Sequence, residues 1–317
     1  MADRVCNNPQ VSNFNWDHLR AFLSVARSGR LVAAAKQLKT DHTTVARRIT
    51  ALEQSLNATL FTRSPQGYEL TEQGSSILTM VEGMEALALQ TIDQVSGDDL
   101  SVSGTVRIAA PEGFGSYFLA PRFTGLLEKH PDLNVELIAS PNLVSLSKRE
   151  ADLAIVLSRP EGGRLVAKKL TDFELGLFAS RDYVDNSAPI KTERDLSNHR
   201  FVGYIDDLLY APELDYAHDV HAGVKTALGS NNLVAQLAAT LRDAGLCILP
   251  NFIASQYETL RQVLPNQVRL TREFWLIGHA DSRNIRRIQT VNAYISECVR
   301  AEKGLFALPN SAGTKQA

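Results

Sequence analysis

Threonine hydroxyls and arginine guanidinium groups recur within one segment, DHTTVARRITALEQSL at residues 41–56. In an α-helix successive residues are rotated by 100°, which brings the apolar residues of this segment within about 60° of one another. These residues are Val45, Ile49, Leu52 and Leu56. Arg47 then points away from the apolar stripe, with Thr43 beside it and Thr44 to one side. Guanidinium groups bind phosphates and guanine edges, and threonine binds phosphates or a thymine methyl group. The segment therefore predicts a helix with one face for packing and one for a nucleic acid.

This arrangement of charges has two interpretations. Two threonines followed by two arginines are also typical of an ordinary solvated helix face. Many such faces mix acids and bases at a spacing of four residues, whereas no acid is expected on the N-terminal half of this outward face. Arg48 is expected at the edge of the apolar stripe, with its stem packed and its guanidinium group reaching a phosphate. The neighbouring segments favour one interpretation over the other.

Two helices are predicted before this segment and a hairpin after it. Residues 15–29 place apolar side chains at helical spacing between a capping asparagine and a glycine, and residues 31–39 predict a shorter helix. Asp41 can cap the third helix. Residues 60–71 predict two short strands joined by a turn that contains proline and glycine. Three helices followed by a hairpin form a winged helix-turn-helix, which favours the DNA interpretation.

A long helix is predicted over residues 71–97. Its apolar residues recur at spacings of three and four, which predicts pairing with a second copy of the chain. The residues expected in this dimerisation stripe are Ile77, Val81, Met84, Ala88 and Ile92. Packing of the stripe against its own domain is the alternative interpretation. Residues 98–104 are polar and predict a hinge.

From residue 105 the pattern changes to strands alternating with helices, which predicts a mainly parallel sheet. The pattern restarts near Arg181, so a two-lobed α/β domain with a cleft between the lobes is expected. Its lobe I is expected over about 105–179 and 280–306, and its lobe II over about 180–279. The remaining divisions of the chain are a helix-turn-helix head over 14–70, a disordered N-terminus over 1–13 and a flexible tail over 307–317.

Polar residues follow several of the predicted strands, where α/β domains bind ligands near helix N-termini. The candidate ligand-binding residues are Pro111, Glu112, Gly113, Ser116, Ser140, Asn142, Ser158, Arg159, Tyr204, Ser230 and Asn231. Helix N-termini and Arg159 favour an anionic metabolite. Glu112 leaves the alternative open, since it could pair with Arg159 or accept a cationic or polyol ligand.

Composition excludes several classes of protein. The net charge is −2, with +4 over residues 1–70 and −6 over the remainder, so only the head is expected to meet a polyanion. No apolar run approaches the roughly 20 residues of a membrane span, and no signal peptide is evident. The three cysteines form no metal-binding pair, and Cys247 lies in an apolar strand that predicts a buried, inert thiol. These features predict a cytoplasmic protein without a metal or cofactor.

The order of these segments resembles the LysR-type transcriptional regulators over about residues 15–300. The head carries the resemblance in LRAFLSVARSG, LVAAAKQLK, TTVARRITALEQSL, LFTRS and GYELTEQG. The second part carries it in SGTVRIAAPEGFGSYFLAP, READLAIVLSRP, LGLFASRDYV and RDAGLCILP. One departure is that the family commonly has Ser-Gln-Pro-Ala-x-Ser where this chain has Asp-His-Thr-Thr-Val-Ala at residues 41–46. A second is Arg30, which stands where a serine or threonine usually caps the second helix.

The resemblance implies a winged helix-turn-helix head, a linker helix and an effector domain like type II periplasmic binding proteins. It implies a homodimer or homotetramer that binds double-stranded promoter DNA, with a small-molecule effector in the cleft and RNA polymerase as a partner of an activator. The DNA-contacting residues that it implies are His42, Thr43, Thr44, Arg47, Arg48 and, on the wing, Arg63. The alternative is a cytosolic ligand-binding or enzymatic α/β domain with an accessory helical head. The chain lacks nucleophile, P-loop, zinc and dinucleotide motifs, which counts against an enzyme.

Overall fold

The structure is a computed structural model, and it describes most of the chain. The described residues are 15–64, 67–95, 102–140, 151–160, 165–209, 211–220, 226–280, 282 and 285–309. Contacts divide the chain into two units, Met1–Gly97 and Asp98–Ala317. Several sequence-based predictions fall outside the described residues: the disordered N-terminus, most of the hinge, a short helix over 143–150, and the tail beyond residue 309.

The first unit consists of helices and a hairpin. Its described elements are α1 (Trp16–Ser28), α2 (Leu31–Gln37), α3 (His42–Leu56), β1 (Phe61–Ser64), β2 (Gly67–Leu70) and α4 (Glu72–Val95). The strands β1 and β2 pair in antiparallel register, as the hairpin prediction requires. The three helices, the hairpin and the long helix therefore follow the predicted order.

Local capping interactions explain where these helices begin and end. The Asn15 side chain accepts a hydrogen bond from the amide of Asp17 at 2.8 Å, and α1 ends at Gly29 with φ of 65°. Thr71 Oγ1 accepts from the amide of Gly74 at 2.9 Å at the start of α4. Helix α3 ends at Asn57, whose φ of 48° lies in the left-handed region that asparagine tolerates. The predicted caps at Asn15 and Thr71 are confirmed.

Most of the apolar stripe of α3 lies in the core of the first unit. Val45, Ile49 and Leu52 are buried there together with residues of α1 and α2. Leu56 was expected in the same stripe, but it is 39% exposed. Leu56 is the last residue of the helix, before the left-handed Asn57, and it is not among the residues of the head's buried core. Its assignment to the core stripe was wrong.

The second unit alternates strands and helices. Its strands are β3 (Gly104–Ala110), β4 (Leu133–Ala139), β5 (Leu153–Val156), β6 (Leu165–Ser180), β7 (Phe201–Gly203), β8 (Thr226–Gly229), β9 (Leu246–Pro250), β10 (Leu260–Val263) and β11 (Arg269–His279). Its α-helices are α5 (Glu112–Phe114), α6 (Ala120–Lys129), α7 (Arg181–Asn186), α8 (Tyr216–Val220), α9 (Leu233–Thr240), α10 (Asn251–Ala254) and α11 (Arg286–Ala301). Shorter turns are a π-helical turn at Gly115–Leu119 and 3₁₀ turns at Glu193–Asn198, Asp206–Leu208, Pro212–Leu214 and Lys303–Phe306.

The described strands of the second unit form one mixed sheet in the order β4-β3-β5-β11-β6-β9-β7-β8, with β10 also paired to β6. Parallel pairs occur at the two ends, around β3 and around β7. The long strands β6 and β11 are antiparallel to each other and join the two ends. The prediction of a mainly parallel sheet was therefore wrong at its centre. No crossover helix is needed between antiparallel neighbours, so helix–strand alternation alone does not reveal this pair.

The two ends of this sheet form the lobes of the second unit. Lobe I contains β3, β4 and β5, lobe II contains β7, β8 and β9, and β6 and β11 connect them. Among the described residues, no helix is both long enough and apolar enough to cross a membrane. The same residues contain no cluster of three or more histidine, cysteine or acidic side chains that could hold a metal ion.

Candidate functional site

The outward face of α3 presents an unpaired guanidinium group. His42, Thr43 and Arg47 are exposed, on the side opposite the buried stripe. Within the described part of the chain, Arg47 forms no hydrogen bond or ion pair. Its guanidinium group is therefore available to a ligand without breaking a contact inside the head, which is the arrangement expected of a residue that reads a base or a phosphate.

A carboxylate lies at the N-terminal end of the same face. Asp41 accepts hydrogen bonds from the Thr44 amide at 2.7 Å, the Thr44 hydroxyl at 2.7 Å and the Thr43 hydroxyl. These hydrogen bonds hold the pKa of Asp41 well below its usual range. The expectation that this half of the face carries no acid was wrong, because the capping residue itself supplies one. The hydroxyl hydrogens of both threonines are committed to Asp41, so their oxygens are left to accept hydrogen bonds or their methyl groups to pack.

Replacing Asp41 by asparagine should change how the stability of the head depends on pH. A carboxyl group with a lowered pKa stabilises the fold fully above its ordinary pKa of 3.8, and this contribution is lost as the pH falls through the lower folded pKa. Asparagine still caps the helix but does not ionise. The melting temperature of the wild type should therefore exceed that of Asp41→Asn at neutral pH, and the difference should shrink at acid pH.

Trp16 fluorescence in a Trp275→Phe background reports this melting, because the chain contains two tryptophans. Glu72→Gln is the matched control, since it removes an exposed carboxylate from the first turn of α4. A difference between wild type and Asp41→Asn that stays constant with pH would contradict the role given to the carboxylate.

Arg48 lies at the edge of the core, as the helical wheel predicts. Its Nη2 is 3.9 Å from Asp17 Oδ2, and Asp17 also lies 3.4 Å from Arg20 Nη1. This weak, half-exposed contact can be given up for a phosphate at little cost. Arg48 is thus placed differently from its neighbour Arg47, which has no competing partner among the described residues.

The wing is fixed against the end of α1. The amide of Tyr68 donates to the carbonyl of Gly29 at 2.8 Å, and a Cβ at Gly67 would lie 2.3 Å from the same oxygen. Gly67 has φ of 138°, so a side chain there is excluded by backbone conformation as well as by space. Exposed Arg63 stands opposite Tyr68 on the hairpin, with its guanidinium carbon 5.4 Å from the ring centre.

Glu53 connects α3 to the wing, and the sequence did not predict this role. Its Oε1 accepts hydrogen bonds from the amides of Leu60 at 2.8 Å and Phe61 at 3.3 Å. The first residues of the hairpin are therefore held against α3. An acid at the core edge near the end of a helix gives too little information to predict which amides it will bind.

The apolar residues of α4 divide between two environments. Val81 is buried and Ile77 is half-buried in the core of the head, so these two were wrongly assigned to a surface for a partner. Met80, Met84 and Leu87 are 60%, 38% and 63% exposed, and Ala88 is also exposed. The side chain of Ile92 lies outside the described residues. The exposed apolar face of α4 is therefore formed by Met80, Met84, Leu87 and Ala88, a set called the α4 face below.

In the second unit, residues that follow β3 and β7 line a small cavity between the lobes. Its volume is about 30 Å³. Five of the predicted ligand-binding residues line this cavity: Pro111, Glu112, Gly113, Tyr204 and Asn231. Sequence analysis missed its apolar walls, which are Leu157, Phe173, Leu214, Tyr216, Leu233, Pro250, Phe252 and Phe274. The rule about strand ends predicts the polar rim but not the walls, which come from strand interiors such as Phe173 and Phe274 and from helices and turns such as Phe252 and Leu214.

The other predicted ligand-binding residues do not line this cavity. They are Ser116, Ser140, Ser158, Arg159 and Ser230, and Asn142 lies outside the described residues. Arg159 is exposed, with its guanidinium carbon 5.8 Å from the centre of the Trp275 ring. Ser230 Oγ accepts from the amide of Asn232, so it shapes the turn before α9. The anionic-ligand prediction therefore loses its support from Arg159.

Glu112 connects the two lobes at this cavity. Its Oε1 accepts a hydrogen bond from Asn232 Nδ2 at 2.5 Å, while Asn232 Oδ1 caps α9 by accepting from the Ala235 amide at 2.8 Å. Burial raises the pKa of Glu112, and the hydrogen bond from Asn232 and the nearby amides of Leu233 and Val234 oppose this effect. Oε2 is buried and has no partner in hydrogen-bonding geometry. The N-terminus of α9, which was expected to attract an anion, already faces this carboxylate.

Both units match models of one protein family. The model described as "Bacterial regulatory helix-turn-helix protein, lysR family" matches residues 16–75, and "LysR substrate binding domain" matches residues 100–312. The chain belongs to the LysR family of transcriptional regulators. Regulators of this family bind promoter DNA and small-molecule effectors, form oligomers and are not enzymes, so the enzymatic alternative is excluded.

Individual LysR-family proteins resemble the chain over most of its length. The Mau operon transcriptional activator of Paracoccus denitrificans is 28% identical over 272 residues, which cover 85% of this chain and 91% of the relative. The regulator PtxR of Pseudomonas aeruginosa is 26% identical and covers 78% of this chain and 80% of its own. A variant of full-length OxyR from Pseudomonas aeruginosa superposes with a TM-score of 0.69 at 16% identity, covering 90% of this chain and 97% of that one. That structural likeness supports the fold.

The cysteines of this LysR-family chain differ in their surroundings. Cys247 is fully buried in β9, and burial raises the pKa of its thiol to about 12. Burial also raises the pKa of Cys298, which is partly exposed on α11. The predicted burial of Cys247 is confirmed, and because the thiolate is the reactive form, the raised pKa of this thiol disfavours its reaction.

Proposed function

We propose that this LysR-family regulator reads promoter DNA with the outward face of α3 and the wing. The observation that carries the proposal is the exposed guanidinium group of Arg47, which forms no hydrogen bond or ion pair with the residues that the structure describes. His42 and Thr43 lie on the same exposed face, and Arg63 is exposed on the wing. In this proposal Arg47 reads a base edge, while Arg48 binds a phosphate in place of its distant contact with Asp17.

We further propose that two copies associate through the α4 face. The four residues recur at helical spacing and include three large apolar side chains that remain exposed. A homodimer would present two heads to two half-sites of one duplex, and pairing of dimers would give a tetramer. The site of action is the compartment that holds promoter DNA, the cytoplasm.

Effector binding in the cavity between the lobes is proposed to control DNA binding. Glu112 and Asn232 bridge the lobes, so a ligand that competes for Glu112 changes which arrangement of the lobes is favoured. In an oligomer such a change would alter the spacing of the heads and hence the bending of the DNA. If the protein is an activator, RNA polymerase is the further partner.

A mobility-shift and footprinting experiment on the DNA upstream of the protein's own gene tests this function. The expected result is a protected site whose affinity falls steeply with salt, because each neutralised phosphate releases counterions. Binding that is equal on a scrambled duplex of the same length, or that does not change with salt, would contradict sequence-specific recognition by a basic face.

Replacing Leu87 by glutamate should break the proposed dimer. A carboxylate in the middle of an apolar interface has no partner among the α4-face residues and is costly to bury. Light scattering on the full chain should show the mass of one chain for Leu87→Glu at micromolar concentration and a multiple of it for the wild type. Ser75→Glu introduces the same charge at an exposed position on the opposite side of the same helix, and it should leave the mass unchanged. An oligomer that survives Leu87→Glu would refute pairing through this face.

A further inference from the structure

Glu112 places an uncompensated carboxylate oxygen at the cavity between the lobes. Oε1 is bound to Asn232, but Oε2 is buried without a hydrogen-bonding partner. Every other described residue that lines the cavity is uncharged. Arg272 pairs with Asp219 and lies 5.7 Å from the ring centre of Tyr216, one of the lining residues, and Arg159 lies against Trp275. The charge of Glu112 is therefore opposed at the cavity by the Asn232 amide and the N-terminal amides of α9, but by no cationic side chain among the described lining residues.

Aromatic rings form much of the remaining wall. Phe173, Tyr204, Tyr216, Phe252 and Phe274 all line the cavity. The Tyr204 and Tyr216 rings lie at 65° with their centres 5.9 Å apart, and Phe173 stacks on Phe274 at 4.1 Å. Aromatic faces attract cations through their negative π-electron density. A carboxylate beside several rings is a combination that suits an organic ammonium group.

A carboxylate, a polyol and an amine would interact differently with Glu112. A carboxylate ligand would place a second negative charge beside Glu112, which the neutral lining cannot compensate. A polyol could donate a hydrogen bond to Oε2 but would leave the charge unbalanced. A protonated amine donates hydrogen bonds to Oε2, supplies the missing charge and packs its carbon atoms on the rings. We propose that the effector is a small organic amine, bound as the ammonium ion at Glu112. This inference rests on the proposed function, in which this cavity is the effector site.

The size of the cavity indicates how binding would be transmitted. About 30 Å³ holds one water rather than an organic ligand. Leu214 and Tyr216 fill the neighbouring space, on a segment held by a hydrogen bond from Arg272 Nε to the Glu213 carbonyl at 2.9 Å. The carbon body of the amine must displace this segment. Ligand binding is therefore coupled to a local rearrangement of lobe II.

Isothermal titration calorimetry on the full chain tests the ligand class with two matched series. The first is propylamine, 1-propanol and propionate, and the second is benzylamine, benzyl alcohol and benzoate. At least one amine should bind, at least tenfold more tightly than the alcohol and the carboxylate of the same size. Glu112→Gln should weaken amine binding at least tenfold. Glu128→Gln, which removes an exposed carboxylate from α6, should bind the amine as the wild type does.

A loss of amine binding by Glu112→Gln can be distinguished from a failure of this variant to fold. Glu112→Gln keeps an oxygen that can accept from Asn232, and its melting temperature should equal or exceed that of the wild type. The proposal is overturned if neither amine binds, if a carboxylate binds more tightly than its amine, or if Glu112→Gln retains the affinity of the wild type. Carboxylate binding would leave the cavity as the effector site and refute only the ligand class. A failure of DNA recognition would appear instead in the mobility shift without any ligand.

Discussion

Arg47→Ala is expected to weaken binding to the promoter duplex by about 1–3 kcal/mol for each head, which corresponds to a loss of roughly 5-fold to 150-fold. The reason is that the Arg47 guanidinium group is exposed on the outward face of α3 and forms no hydrogen bond or ion pair with the described parts of the chain. Its removal therefore costs the head no internal interaction, and the loss should appear in DNA binding and not in stability. The measurement is a mobility-shift titration at several salt concentrations, with the melting temperature recorded in parallel.

Arg20→Ala is the matched control, because it removes the same charge from an exposed position of α1 that already has a partner in Asp17. If Arg47 reads a base, Arg47→Ala should also relax the preference at one base step of the protected site. Arg47→Lys should keep the phosphate attraction but weaken that preference, since lysine lacks the rigid planar fork with which arginine matches the guanine edge. If Arg47→Ala and Arg20→Ala bind the promoter duplex with equal affinity, the proposed contact between Arg47 and DNA is wrong.

The head was predictable where short-range rules apply. The limits of α1 follow from one asparagine cap and one glycine, and the buried residues of α3 follow from helical periodicity. These short-range rules failed where the surroundings of a side chain depend on another element of the fold. Leu56 is exposed at the end of α3, outside the buried core of the head, and Glu53 binds the amides of residues that follow a turn. Val81 is buried in the head's own core, although its spacing from the other apolar residues of α4 also suits a dimer interface.

In the cavity of the second unit, too, some residues were predictable from short-range rules and others were not. Glu112, Tyr204 and Asn231 were found because loops after strands converge in α/β sheets. Phe173 and Phe274 were missed because they come from the interiors of β6 and β11, and the pairing of these two strands is a long-range property. The predicted sign of the ligand charge depended on Arg159. Its guanidinium group points to Trp275, and no spacing rule reports that orientation.

Phe114→Ala should destabilise the second unit by about 3–5 kcal/mol, the usual cost of removing a buried phenylalanine. Phe114 is 1% exposed, and its ring centre lies 4.4 Å from that of Phe274 and 5.0 Å from that of Phe118. It also contacts Phe252 and Phe306 at 6.0 and 6.3 Å. Alanine would leave a cavity in this cluster, which surrounding rings fill only in part. The measurement is urea unfolding followed by Trp275 fluorescence in a Trp16→Phe background, so that only the second unit is observed.

Leu127→Ala on α6 is the control, since Leu127 is 40% exposed and surface truncations usually change stability by about 0.5 kcal/mol or less. Phe114 and Glu112 belong to α5, the first turn of a helix that continues through the π-helical turn to Lys129, and the fully buried Phe114 ring anchors this turn in the core. The burial of Phe114 therefore fixes where Glu112 stands. Phe114→Leu, which keeps most of the side-chain volume, should remain folded but bind the amine less tightly than the wild type. A Phe114→Leu protein with weakened stability and unchanged amine affinity would show that Glu112 is positioned by Asn232 rather than by the aromatic cluster.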